Sequence, residues 1–190
     1  MTGTDPGPTV GQLLLTEYER LKDEQKARIG FRDNLIYVTL ASMAAVVTAA
    51  LTAKGHANLL LMLPPVSTVL GWTYLVNDEK VTAIGHYLRG YLAPKLDSSG
   101  TAFAWETTHR SDRCRKHRKI IQMVVELGTF AAPAAAAIIV YWINGPWEWP
   151  FLAVSIAELA VALGLVAEIV RYADVDVSGP NTSDGSAEEG

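Results

Sequence analysis

Cysteine is almost missing from this chain. Cys114 is the single one among 190 residues, so no intramolecular disulfide can form and no cysteine pair has metal-site spacing. The four histidines, His56, His86, His109 and His117, do not supply HExxH or a similar ligand pattern. A phosphate-cradling Walker A loop, a GxSxG elbow and a GxGxxG fingerprint are all absent, so no enzyme activity, metal or cofactor is expected. Residues 1–10 carry Asp5, Pro6 and Pro8 and no Lys or Arg, so no cleavable signal peptide is expected in them. The first apolar run is then expected to act as its own insertion signal. Charge is lacking in two long stretches: Leu35 to Ala53 and Ala57 to Val76 contain no Asp, Glu, Lys or Arg.

Those uncharged stretches define the class. A helix needs about 20 apolar residues to cross a bilayer core of roughly 30 Å. Both runs qualify, and Lys54-Gly55-His56 between them leaves room only for a tight turn. A third run extends from Ile120 to Ile143, broken by Glu126. A fourth extends from Pro150 to Val170 and holds Glu158 and Glu168. A soluble helix would show a polar stripe, and the first two runs offer only scattered Ser, Thr and Asn. The expected fold is all-α: a polytopic membrane protein with four transmembrane helices as two hairpins. A helical cytosolic segment joins the hairpins and an N-terminal amphipathic helix precedes them. The expected divisions are 1–9 disordered, 10–34 amphipathic helix, 35–76 first hairpin, 77–119 cytosolic segment, 120–171 second hairpin and 172–190 disordered acidic tail.

Basic residues orient the spans. Of 16 Lys and Arg, five precede the first span, nine lie between the second and third, and one follows the fourth, leaving Lys54 alone on the other side. The positive-inside rule therefore puts both termini on the cytoplasmic side of the membrane. Trp142, Trp147 and Trp149 fall at the opposite interface, where amphipathic rings form a belt.

Lipid supplies no hydrophobic drive for helix pairing, so close contact depends on small residues. Ala41, Ala45, Ala49 and Ala53 recur every fourth residue in the first span, as do Gly128, Ala132 and Ala136 in the third. Ala153 with Ala157 and Ala160 with Gly164 repeat the pattern in the fourth. These stripes serve either the bundle's own packing or contact between copies. Pro64 and Pro65 in the second span and Pro133 in the third each remove an amide donor. They are candidate hinges, or plain determinants of helix geometry.

Two features are candidates for chemistry. Glu158 lies about twelve residues from the basic-side end of its span, ~18 Å deep at 1.5 Å per residue. A carboxylate at that depth is costly and rarely faces lipid, so it is either hydrogen-bonded to a neighbouring helix or lines a watery path. Glu126, about six residues into the third span, is expected to face the same interior at another depth. The second feature is the basic run Arg110, Arg113, Arg115, Lys116, Arg118 and Lys119, just before the third span. It is either a topology signal attracted to anionic lipid or an anion pocket, with a nucleotide or oligonucleotide as the possible ligand. Residues 10–32 place Val10, Leu14, Tyr18 and Leu21 on one helical face, a candidate surface for a cytosolic protein partner.

The stretches EYERLK at 17–22, RIGFRD at 28–33, GWTYLVNDEK at 71–80 and IGHYLR at 84–89 resemble a family of small integral membrane proteins from actinobacteria and cyanobacteria. The layout is also similar to small membrane effectors of bacterial antiviral defence, the SLATT-type proteins and the Hailong membrane component. That likeness implies an oligomeric pore gated by a nucleotide signal, though SLATT proteins have one hairpin and this chain has two. The leading expectation is an oligomeric, channel-like effector or sensor of a cytosolic anionic ligand, with Glu126 and Glu158 along its path. The alternatives are a non-conducting scaffold that binds a protein through its cytosolic helices, or a small proton-coupled transporter using Glu158.

Overall fold

The computed structural model describes residues 8–53, 56–97 and 115–177, apart from the side chains at 115, 116, 118 and 173–177. The described residues form helices and short connections. Thr9 starts the first helix with a capping box: its hydroxyl accepts from the Gln12 amide, and the Gln12 side chain accepts from the Thr9 amide. Helix α1 then runs unbroken over Val10–Thr52, so the amphipathic segment and the first span are one 43-residue rod. No Pro or Gly pair interrupts it, and a formed helix extends at little cost per residue.

The second rod begins with a 3-10 turn, Ala57–Met62, and continues as α2, Leu63–Tyr87. Pro64 and Pro65 sit in the first turn of α2, where their missing amides have no helical acceptor to lose. A π-turn, Leu88–Leu92, and α3, Ala93–Leu96, complete the rod. The third rod has the same build: α4 over Arg115–Glu126, a π-turn over Leu127–Ala131, and α5 over Ala132–Asn144. Each π-turn ends two residues before a proline, Pro94 or Pro133. The wider turn draws the carbonyl one turn back away from the proline ring, which an α-helix would bring into collision. The fourth rod, α6, spans Trp149–Val177. It carries on past Tyr172, where a disordered tail was expected to begin.

Four of these rods are long and apolar enough to cross a membrane, in the regions Val10–Thr52, Ala57–Leu96, Lys119–Asn144 and Trp149–Tyr172. The second occupies the centre: 44% of its most apolar stretch is buried, against 11% for the first and 22% each for the third and fourth. It packs against α1, α5 and α6, whereas α5 and α6 meet each other only lightly. A core layer of Leu35, Tyr74, Leu75, Phe130, Leu165 and Ile169 joins all four rods. Gly71 makes that layer possible. A Cβ there would stand 2.6 Å from Leu165 Cδ2 and 3.1 Å from Phe130 Cβ.

The small-residue stripes point elsewhere. Ala41, Ala45, Ala49, Gly128, Ala132, Ala136, Ala153, Ala157, Ala160 and Gly164 are all exposed on the single chain. The small residues that pack the bundle include Ser67, Gly71, Gly85, Ala134, Ala137, Ser155 and Ala162.

Candidate functional site

A buried polar node closes the bundle on its basic side. The α1 stripe that faces α2 runs Leu14, Tyr18, Leu21, Gln25, Arg28, Arg32, Leu35 and Thr39, spaced three and four apart, and its middle turns polar. There it meets α2. Arg32 Nη1 donates to Asp78 Oδ1 at 2.8 Å, with the Asp78 side chain only 7% exposed. Gln122 Nε2 bridges two carboxylates, donating to Glu126 Oε1 at 2.9 Å and reaching Asp78 Oδ2 at 3.4 Å. Asn77 Nδ2 donates to the Arg28 carbonyl at 2.8 Å, and Gln25 Nε2 to the Val81 carbonyl at 3.4 Å. One guanidinium thus faces two buried carboxylates across three rods. Glu126 accepts that bond from the Gln122 amide rather than from a cation. Such a node is stiff while it is intact, because parting any two members leaves charge in a poor solvent.

Beyond the node the first two rods stay paired. Gly85 lies against Gln25, Leu88 and Leu92 are fully buried, and the Tyr87 hydroxyl donates to Glu17 Oε1 at 2.8 Å. The segment starting at Asn77 therefore extends the second span rather than lying along the membrane surface.

Glu158 sits elsewhere. It belongs to the inward stripe Ser155, Ala162, Leu165, Ile169 of α6, and its Oε2 is buried with no hydrogen-bond partner among the described residues. Leu165 is level with Gly71, so Glu158 lies about seven residues beyond that layer and Asp78 about seven before it. At 1.5 Å per residue, Glu126's node and Glu158 stand about 20 Å apart along the bundle. The two carboxylates that the sequence offered for one path are thus not brought together. Near the far end, Trp142 Nε1 donates to Ser155 Oγ at 3.2 Å and its ring meets Trp147 edge-on, while Trp147 and Trp149 are more than 80% exposed. A cavity of about 850 Å³ lies there between α1, the 3-10 turn and α5, lined mostly by apolar groups such as Met43, Val47, Leu60 and Val140.

Of the basic run, Arg110 and Arg113 lie outside the described residues, as do the side chains of Arg115, Lys116 and Arg118. Lys119 is half-buried, with its Nζ 5.5 Å from the Tyr172 ring centroid. Among the described residues no group of three or more His, Cys, Asp or Glu side chains is placed to hold a metal ion. The expected divisions put Arg28 and Arg32 in the amphipathic helix 10–34 and Asn77-Asp78 at the start of the cytosolic segment, not in one buried cluster. The missed signal is periodicity: Gly71, Tyr74 and Asp78 continue one buried stripe, as Arg32, Leu35 and Thr39 do on α1.

Four apolar rods around one buried polar node are the build of a multi-pass helical membrane protein. No family model, no curated protein and no solved structure matches the chain.

Proposed function

We propose that the protein is an oligomeric membrane effector or sensor. Its paired extramembrane rods, residues 10–34 and 77–96, take up a cytosolic signal from an anionic ligand or a protein and pass it to the spans. The observation that carries this reading is the outward direction of the small-residue stripes. Residues suited to close helix contact are left on the outside, where another copy can use them. Two further features support it. The second rod fills the middle of the bundle, so any conducting path runs between copies. Glu158, on the inward stripe of α6, keeps a buried oxygen with no hydrogen-bond partner among the described residues, and an ionisable group at that depth is seldom without a functional role.

The test is the subunit count of the full chain in mild detergent and in lipid nanodiscs, followed by conductance with and without candidate nucleotides. A closed ring that conducts, and whose conductance falls in Glu158→Gln, supports the proposal. A strict monomer in both settings overturns it. That outcome would favour the scaffold, for which Val10 and Leu13, one turn apart, are exposed apolar side chains on the extramembrane part of α1.

A further inference from the structure

We infer that the groove between α1 and α2, beside the polar node but on the outer face, is a site for the phosphate of an anionic phospholipid. The groove has a volume of about 370 Å³, and Arg28, Phe31, Trp72, Val76, Asn77 and Lys80 line it. Its two cations come from different rods at the same level. Arg28 is already held by Glu24, at 2.6 Å and 2.9 Å to the same carboxylate oxygen. Lys80 makes no ion pair among the described residues and is exposed. Lys80 is therefore the charge left for a ligand.

The wall of the groove changes character along the rod. From Lys80, the exposed positions Val76, Trp72 and Val69 follow at about one, two and three turns toward the uncharged stretch of α2. At 1.5 Å per residue Trp72 lies ~12 Å from Lys80. The order, cation first and then aromatic and aliphatic surface, matches a phospholipid with its phosphate at the interface and its upper chains against the rod. A free anion would use Lys80 and gain nothing from Trp72, Val76 or Phe31. Basic pockets between spanning helices on the cytoplasmic side are suited to anionic headgroups for this reason. The site holds whether or not the assembled protein conducts.

The experiment is native mass spectrometry of the full chain released from micelles and titrated with phosphatidylglycerol or phosphatidylcholine, which separates the first bound lipid from later ones. The first phosphatidylglycerol is expected to bind more tightly than the first phosphatidylcholine. Lys80→Gln should weaken it about fivefold, the equivalent of ~1 kcal/mol per surface cation, and leave phosphatidylcholine unchanged. Lys80→Arg should keep the preference, and so should Lys26→Gln, which removes an exposed cation outside the groove. An unchanged preference in Lys80→Gln overturns the site. An equal loss in Lys26→Gln also overturns it, by reducing the effect to diffuse surface charge. Loss of the first phosphatidylglycerol in excess inorganic phosphate at constant ionic strength would overturn the lipid assignment in favour of a free anion.

Discussion

Breaking the Arg32–Asp78 pair from its two sides should give unequal losses. Asp78→Asn keeps the shape of the side chain and removes its charge. Arg32 is then left 28% exposed, with Asp33 Oδ1 at 3.7 Å as a second partner. Removing one member of a fully buried pair costs about 3–5 kcal/mol, and the exposure of Arg32 discounts that to about 1–2 kcal/mol. Arg32→Gln strands more. It leaves Asp78, 7% exposed, and Glu126, 6% exposed, sharing the single amide of Gln122. That loss should reach about 2–3 kcal/mol, because buried Asp78 loses its direct cation and Glu126, which Lys119 also faces, loses a second one. The double variant should fall short of the sum by about 1 kcal/mol or more, as expected for residues in direct contact. Reversible unfolding in mixed micelles with rising SDS fraction, followed by circular dichroism, measures all three. If Asp78→Asn costs as much as Arg32→Gln, or the two losses add within about 0.3 kcal/mol, the node does not couple the rods.

Gly71→Val should destabilise the bundle by about 1–3 kcal/mol through overpacking, and Leu165→Ala in the same chain should recover much of it. Leu165 Cδ2 is the atom a new Cβ meets first, at 2.6 Å, so failure of that rescue in the same unfolding assay would discount the contact. Ser155→Ala removes the acceptor of Trp142 Nε1 and should cost about 0.6 kcal/mol, the usual worth of a hydrogen bond between spanning helices. A loss several times larger would mean that Ser155 holds more than Trp142.

The spans were readable because absence of charge over 19 or 20 residues is a signal that tertiary context cannot erase. The rods' unbroken extension beyond the apolar runs was less visible, since hydropathy falls at Arg32 and Asn77 while the helix does not end there. Pro64, Pro65 and Pro133 read as interruptions because the sequence does not announce a preceding 3-10 or π turn, and it is that turn which makes each proline an early position of a new helix. The stripes of Ala and Gly were found by their period of four, but a period gives a face and not its neighbour. Ala45 on one face of α1 and Thr39 on another look alike in sequence, and the structure buries Thr39 and exposes Ala45. The node escaped for a related reason. Arg32, Asp78 and Gln122 are each unremarkable surface types, and only their shared stripes bring them into one cluster.

The position of that cluster decides how a signal would travel. Hydrocarbon offers no reward for moving one apolar helix past another, so relative motion of the spans is governed by the few contacts that are not interchangeable. Here those are the node, the Gly71 layer and the Trp142–Ser155 bond, and all but the last involve the second rod. A displacement imposed on the paired segments 10–34 and 77–96 reaches Asp78 before it reaches the Gly71 layer. Asp78 is tied to α1 through Arg32 and to α4 through Gln122. Below it, Tyr74 meets Phe130 at 5.2 Å, in the π-turn of the third rod, where the helix is already wider than an α-helix. A π-turn interrupts the α-helical ladder and is a recognised place for a helix to bend, which makes Leu127–Ala131 the place where the third rod would yield first. The exposed faces of Gly128, Ala132 and Ala136 begin in that turn. Movement at the node would therefore reach a face that the oligomer reading assigns to another copy.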